Sequence, residues 1–268
     1  EDEDMEQEED VDEDEDEDMD GEDSGDENDG EAGDVEDSED EDEEMDDEGN
    51  DPGQDDSDST VVSELEMSLS EKGGTSRLEL NRDVLLNRSA GGEQYSTERL
   101  NSIAIFGSER HDKVKVLVRS DARFDLEEIS LFAAAGNDKI ILRQDGSETP
   151  GWTSVHGQDG RDRLDASRYG GMVELEGGPG NDVLIGGQSE SELWGGPGRD
   201  RFLVRQGAGL QWLMDFDPEV DRVRIRFDPS NLALHPRDGD LWLLRDAQPV
   251  AVFVGLADQQ ELIQTLIS

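Results

Sequence analysis

Two segments of the chain carry the residue types from which a site for a hard cation is built. They are Gly177-Gly178-Pro179-Gly180-Asn181-Asp182-Val183-Leu184-Ile185 and, 18 residues later, Gly195-Gly196-Pro197-Gly198-Arg199-Asp200-Arg201-Phe202-Leu203. Both follow the nonapeptide G-G-x-G-x-D-x-U-x, with U a large apolar residue. Glycines reach backbone angles closed to other residues, so the carbonyl oxygens of a tight turn can point at one centre. The aspartate adds an anionic oxygen. Such an all-oxygen donor set suits Ca²⁺ and not a metal that seeks thiolate or imidazole. The U residue turns inward and fills a core.

Weaker copies surround these two. Six-residue loops ending in Asp occur at 107–112 (GSERHD), 133–138 (AAAGND), 157–162 (GQDGRD), 177–182, 195–200 and, in divergent form, 216–221 (FDPEVD). Each follows a short apolar stretch and is followed by Asp-x-U, with U at Val114, Ile140, Leu164, Leu184, Phe202 and Val223. The alternation continues at Val116, Leu142, Ala166, Gly186, Val204 and Ile225, the period of a strand with one face inward. Spacings between the aspartates are 26, 24, 20, 18 and 21. Loop length is constant, so the variation belongs to the return path.

On these residues the chain resembles the RTX (repeats-in-toxin, hemolysin-type) calcium-binding family. The resemblance is specific over 157–221, looser from 101 to 156, and does not extend to the N-terminal segment. It implies an all-β fold, a right-handed parallel β-roll (solenoid) with Ca²⁺ between successive loops. The metal set implied is Asp138, Gly157, Gly160, Asp162, Gly177, Gly178, Gly180, Asp182, Gly195, Gly196, Gly198, Asp200, Asp217 and Asp221. Asp182 with Asp200 forms the best pair, then Asp162 with Asp182. Asp112 is a poor candidate because Arg110 replaces the loop glycine. The segment Met214–Asp221 resembles the family's C-terminal coda. The nonapeptides of the opposite edge put Val173 and Ser191 where Asp belongs, so calcium is expected along one edge only.

The remaining organisation follows from composition. Residues 1–60 hold 38 Asp and Glu and no Lys or Arg, within a chain of net charge −50. Their apolar side chains are too few to offset chain entropy, which predicts a disordered acidic tail. Residues 61–100 read as an N-terminal β cap, 101–227 as the calcium-binding roll, and 228–268 as a C-terminal cap. In that cap Leu241–Leu244 and Val250–Val254 form a hairpin and Asp258–Leu266 a short helix.

Several function classes are excluded or disfavoured. Clustered Lys and Arg for phosphate binding are missing from the tail and outnumbered elsewhere, which argues against nucleic acid. No apolar run is long enough for a membrane span. There is no Cys, and His111, His156 and His235 share no metal-ligand spacing. Neither H-E-x-x-H nor G-x-S-x-G occurs, and nothing marks a catalytic residue. The expectation is a secreted, extracellular, non-catalytic protein whose partner is calcium, with a cationic or mineral surface as a further partner for the tail. Two alternatives stand beside it: the export and stabilisation module of a larger secreted enzyme such as a serralysin-like protease, or an acidic mineral- or surface-interaction protein. The chain opens at Glu1 without Met, which fits processing or a fragment, and its Leu262–Ser268 ending is compatible with an uncleaved export signal.

Overall fold

Alternating apolar residues broken every few positions by glycine turns give strands too short to bury a face alone. Stacking them coil upon coil solves that problem. The computed structural model describes residues 64–267 apart from 70, 81–83, 90–91, 97–99, 120–125 and 147–150. The acidic tail of residues 1–60, with the disorder and the surface partner expected of it, lies outside the described residues.

The first coil is β1 (Glu64–Ser68) and β2 (Gly74–Leu80), followed by β3 (Val84–Asn87) and β4 (Gln94–Ser96). Next come β5 (Ser102–Phe106) with β6 (Asp112–Val118), β7 (Glu128–Phe132) with β8 (Lys139–Gln144), and β9 (Trp152–His156) with β10 (Arg163–Arg168). The later coils are β11 (Val173–Glu176) with β12 (Val183–Ile185), β13 (Ser191–Trp194) with β14 (Arg201–Arg205), and β15 (Gln211–Leu213) with β16 (Arg222–Arg226). The chain closes with β17 (Leu232–Arg237), β18 (Asp240–Arg245), β19 (Gln248–Phe253) and helix α1 (Gln260–Ile267).

Each coil gives one strand to each of two sheets. One sheet runs β1-β5-β7-β9-β11-β13-β15-β19-β18-β17, the other β16-β14-β12-β10-β8-β6-β2-β3-β4. Coil-to-coil pairing is parallel throughout, and only the end hairpins are antiparallel. The fold is a parallel β-roll.

The core is the space between the sheets. Val114, Ile140, Leu164, Leu184, Phe202 and Val223 share one register row and are all buried. Facing them, Leu131, Val155, Leu175, Leu193, Leu213 and Phe253 form another buried row. Phe253 belongs to β19, so the C-terminal hairpin continues the stack and covers the edge that β15 would otherwise expose. Ile263 and Ile267 of α1 are buried in the same core cluster. In the second sheet the strands shorten from 7 residues in β2 and β6 to 3 in β12 and lengthen again to 5 in β14 and β16.

Candidate metal centre

The six Asp-terminated loops join the two sheets along one edge, and their aspartates form a hydrogen-bonded ladder. The Asp112 N–H donates to Asp138 Oδ1 at 2.6 Å, Asp138 to Asp162 at 2.7 Å, and Asp162 to Asp182 at 2.7 Å. Asp182 then donates to Asp200 at 2.8 Å and Asp200 to Asp221 at 2.9 Å. One carboxylate oxygen per loop thus locks the neighbouring coil's backbone. The second oxygen is what distinguishes the loops. Oδ2 of Asp138, Asp162, Asp182 and Asp200 is buried without a hydrogen-bond partner. A buried anionic oxygen left unmatched is costly, and four successive loops each carry one.

The glycines shape the space beside those oxygens. A Cβ placed on Gly177 would lie 2.6 Å from Asp182 Oδ2 and 2.7 Å from the Gly195 carbonyl oxygen. A Cβ on Gly157 would lie 2.6 Å from Asp162 Oδ2 and 2.5 Å from the Gly177 carbonyl. Carboxylate of one loop and carbonyl of the next therefore converge where only glycine leaves room. Gly136, Gly160, Gly180 and Gly198 bridge directly from loop to loop, and a Cβ at Gly180 would come within 1.6 Å of the Gly160 carbonyl oxygen. In the 133–138 loop, Ala133 already carries a methyl where the others have their first glycine, which makes that loop the poorest fit of the four. Among the described residues no three His, Cys, Asp or Glu side chains converge as a metal-holding group. The donor set is instead one of separated carboxylates and backbone carbonyls, the chemistry of a hard cation. The residues present fit Ca²⁺.

Burial pushes the Asp162 and Asp200 carboxyls up to about 7 and those of Asp138 and Asp182 up to about 6, with neighbouring carboxylates adding to the rise at Asp138, Asp162 and Asp200. Ladder N–H bonds oppose the shift without cancelling it. Between the ordinary carboxyl value of 3.8 and about 7 the folded, metal-free protein binds more protons than the unfolded chain. Its stability therefore falls as pH rises through that window and is regained as pH drops from about 7 towards 4. Thermal melts in EGTA should give a higher Tm at pH 5 than at pH 8. Saturating calcium should reverse the order, because the ion competes with the proton. A metal-free Tm that rises from pH 5 to pH 8 would contradict the buried, unpaired state of these carboxylates.

The opposite edge is closed by neutral groups. Gly187 N–H donates to Ser191 Oγ at 2.9 Å, and Gly170 N–H to Gln144 Oε1 at 2.9 Å. Gln211 Nε2 donates to the Gly209 carbonyl at 2.9 Å, and Ser189 Oγ to the Gly170 carbonyl. Val173 is fully buried at the position of the missing Asp. Gln211 Oε1 is left unpartnered there, but among the described residues no buried carboxylate stands beside it.

Both ends of the ladder are stopped by protein donors. Asp112 Oδ2 receives the Ser108 N–H at 2.7 Å and lies 2.9 Å from Ser108 Oγ, so its second oxygen is satisfied. At the other end Asp221 Oδ2 accepts the Asp217 N–H at 2.9 Å, while Asp217 Oδ1 accepts from Glu219 at 2.9 Å. Asp221 therefore serves two loops, with Oδ1 on the Asp200 N–H and Oδ2 on the Asp217 N–H of its own loop. Asp215, which the sequence reading passed over as part of the coda, performs a task of its own. Its two oxygens accept the N–H groups of Gly195 at 2.7 Å and Gly196 at 2.8 Å, the groups that in the preceding loop bond to Trp194 and Gly195 carbonyls. Asn137 and Asn181 were also missed. Their side-chain oxygens accept the Arg161 and Arg199 N–H groups, each at 2.9 Å.

No curated protein matches the chain. Residues 176–210, the segment that holds both complete loops, match the RTX calcium-binding nonapeptide repeat in four copies. These repeats bind Ca²⁺ and are themselves non-catalytic. The buried aspartate edge of this parallel roll is thus the edge of a chain that carries RTX calcium-binding repeats.

Proposed function

We propose that the chain is a secreted, non-catalytic calcium-binding protein whose folding is coupled to calcium. Asp162, Asp182 and Asp200 would hold the ions with the carbonyl oxygens of the intervening glycine loops, and Asp138 would take part more weakly. The observation that carries this reading is the row of buried, unpartnered Asp Oδ2 atoms beside glycine carbonyls. A bound Ca²⁺ supplies two positive charges between carboxylates that otherwise face one another without compensation. Around it, the ladder N–H groups hold each carboxylate in place, and the glycines exclude every side chain from the cradle. Secretion fits the chemistry, since proteins with such repeats are typically exported and extracellular sites of this kind fill at about 10⁻⁴–10⁻³ M calcium.

Far-UV circular dichroism of the full chain in EGTA, then in millimolar calcium, tests the coupling. One site at 100 times its Kd contributes about 2.7 kcal/mol, so a few sites suffice to decide folding. A gain of β signal on adding calcium is expected; a spectrum that does not change removes the proposal.

A further inference from the structure

The two outward faces of the roll are sorted by charge. On the sheet that starts each coil, Glu66, Glu174 and Glu192 share one register row with small or aromatic residues. Glu174 is held above the usual carboxylate range by burial, with Glu192, Glu176 and Glu128 adding to the rise. The other sheet is cationic. Lys113, Lys139, Arg163, Arg201 and Arg222 occupy one outward row, one per strand, interrupted only by Val183. Lys115, Arg205 and Arg224 widen the row along their strands. Carboxylates reach this face at Asp165, which pairs with Arg163 at 3.3 Å, and at Glu79, which is taken up by Arg88 and Arg119.

We propose that this face binds an acidic polysaccharide, carboxylated or sulfated, laid along the axis of the roll. The cations stand in single file at the strand spacing of about 4.8 Å, a repeat that a linear polyanion can follow and a compact ligand cannot use. Other polyanions fit less well. Single-stranded nucleic acid wants aromatic platforms, and no aromatic side chain projects from the outward positions of β6, β8, β10, β12, β14 or β16. A bilayer wants insertable apolar side chains, whereas Ile141 and Ile185 of this face are buried, and the exposed Met172, Trp194 and Val220 lie outside these strands. The net charge of −50 opposes capture of any polyanion, so binding would report this face and not bulk attraction.

The test is binding of the full chain, in calcium, to fluorescent dextran sulfate and to polygalacturonate across a salt series. Binding to at least one is expected, weakening as salt rises. The double variant Lys139→Gln/Arg201→Gln should bind about 10-fold more weakly, with a salt slope smaller by about two charges. Glu192→Gln on the opposite face should bind as the parent does. The calcium-induced dichroism of each variant reports folding. Independently of any variant, dextran sulfate should protect Lys113, Lys115 and Lys139 of the parent from acetylation while leaving Lys72 reactive. Preference for sulfate or for carboxylate names the source. Binding to neither polysaccharide, unchanged binding by the folded double variant, uniform acetylation, or tighter binding to phosphatidylglycerol vesicles or a single-stranded oligonucleotide would each overturn the proposal. Calcium-driven folding is read separately and can stand when this fails.

Discussion

Asp182→Asn is expected to lower calcium affinity by at least about 100-fold, since Asp182 is proposed as a direct ligand and loss of a group that merely supports a ligand already costs about 10–100-fold, while the metal-free protein stays at least as stable as the parent. The two halves of that result come from the two carboxylate oxygens. Oδ1 accepts the Asp162 N–H at 2.7 Å, and an Asn oxygen can do the same. Oδ2 is buried and unpartnered beside Gly177 and the Gly195 carbonyl, and there the substitution replaces a charged oxygen with a neutral amide. The charge that makes the site also strains the empty fold, since burial has already raised the Asp182 carboxyl to about 6. Asp112→Asn is the comparison. Ser108 already satisfies its second oxygen, so calcium affinity should change by less than about 3-fold, under 0.7 kcal/mol. Calorimetric calcium titration of both variants with the parent decides the matter, and equal losses would show that the unpartnered oxygen is not the determinant.

Calcium removal is expected to open the roll unevenly. Strands β2, β6 and β8 have 7, 7 and 6 residues and pack Val, Ile and Leu inward; the loop into β6 ends in the internally satisfied Asp112, and only the loop into β8 carries an unpartnered oxygen, at Asp138. The loops that join β9 to β10, β11 to β12 and β13 to β14 carry the unpartnered carboxylate oxygens of Asp162, Asp182 and Asp200, and β11, β12 and β13 have only 4, 3 and 4 residues. Short strands contribute little burial, and the loops add electrostatic cost, so local stability there depends on the ion. Hydrogen exchange in EGTA should therefore lose protection over 157–213 by at least about 100-fold, matching about 2.7 kcal/mol for one site, while 102–118 and 128–144 keep most of theirs. Uniform loss across both halves would mean that the roll folds as one calcium-dependent unit.

The contrast between those halves shows what was legible in the sequence. Asp-x-U at constant loop length placed the six inward residues Val114, Ile140, Leu164, Leu184, Phe202 and Val223, because strand alternation is a local property written into neighbouring residues. Glycines at Gly157 and Gly177 stand where carbonyl and carboxylate converge and only glycine fits, and Gly195 stands against the Asp200 carboxylate. Termination of the ladder was not readable. Asp215, and the Asp221 oxygen that meets Asp200, act through contacts that exist only once coils about 20 residues apart are stacked, while the Ser108 and Asp217 bonds depend on a loop shape that the repeat pattern does not spell out. The same holds for β1 and β2. Their loop has no Asp and reads as a lead-in, yet both strands pair in parallel with the next coil and extend the two sheets. The cationic face escaped notice because its residues occupy the x position after each Asp, which the repeat leaves free, and because the acidity of the whole chain masks it.

The positions of the ions decide whether the roll holds its calcium along a single edge. Anomalous scattering from a crystal soaked in a lanthanide, which replaces Ca²⁺ among oxygen ligands, would place them directly. Ordered peaks are predicted between the loops of Asp162, Asp182 and Asp200, with a weaker one towards Asp138 and none beside Asp112. The edge formed by Val173, Ser191 and Gln211 should be empty. An ordered peak at Ser191, or none between Asp182 and Asp200, would contradict a roll that holds its calcium along a single edge.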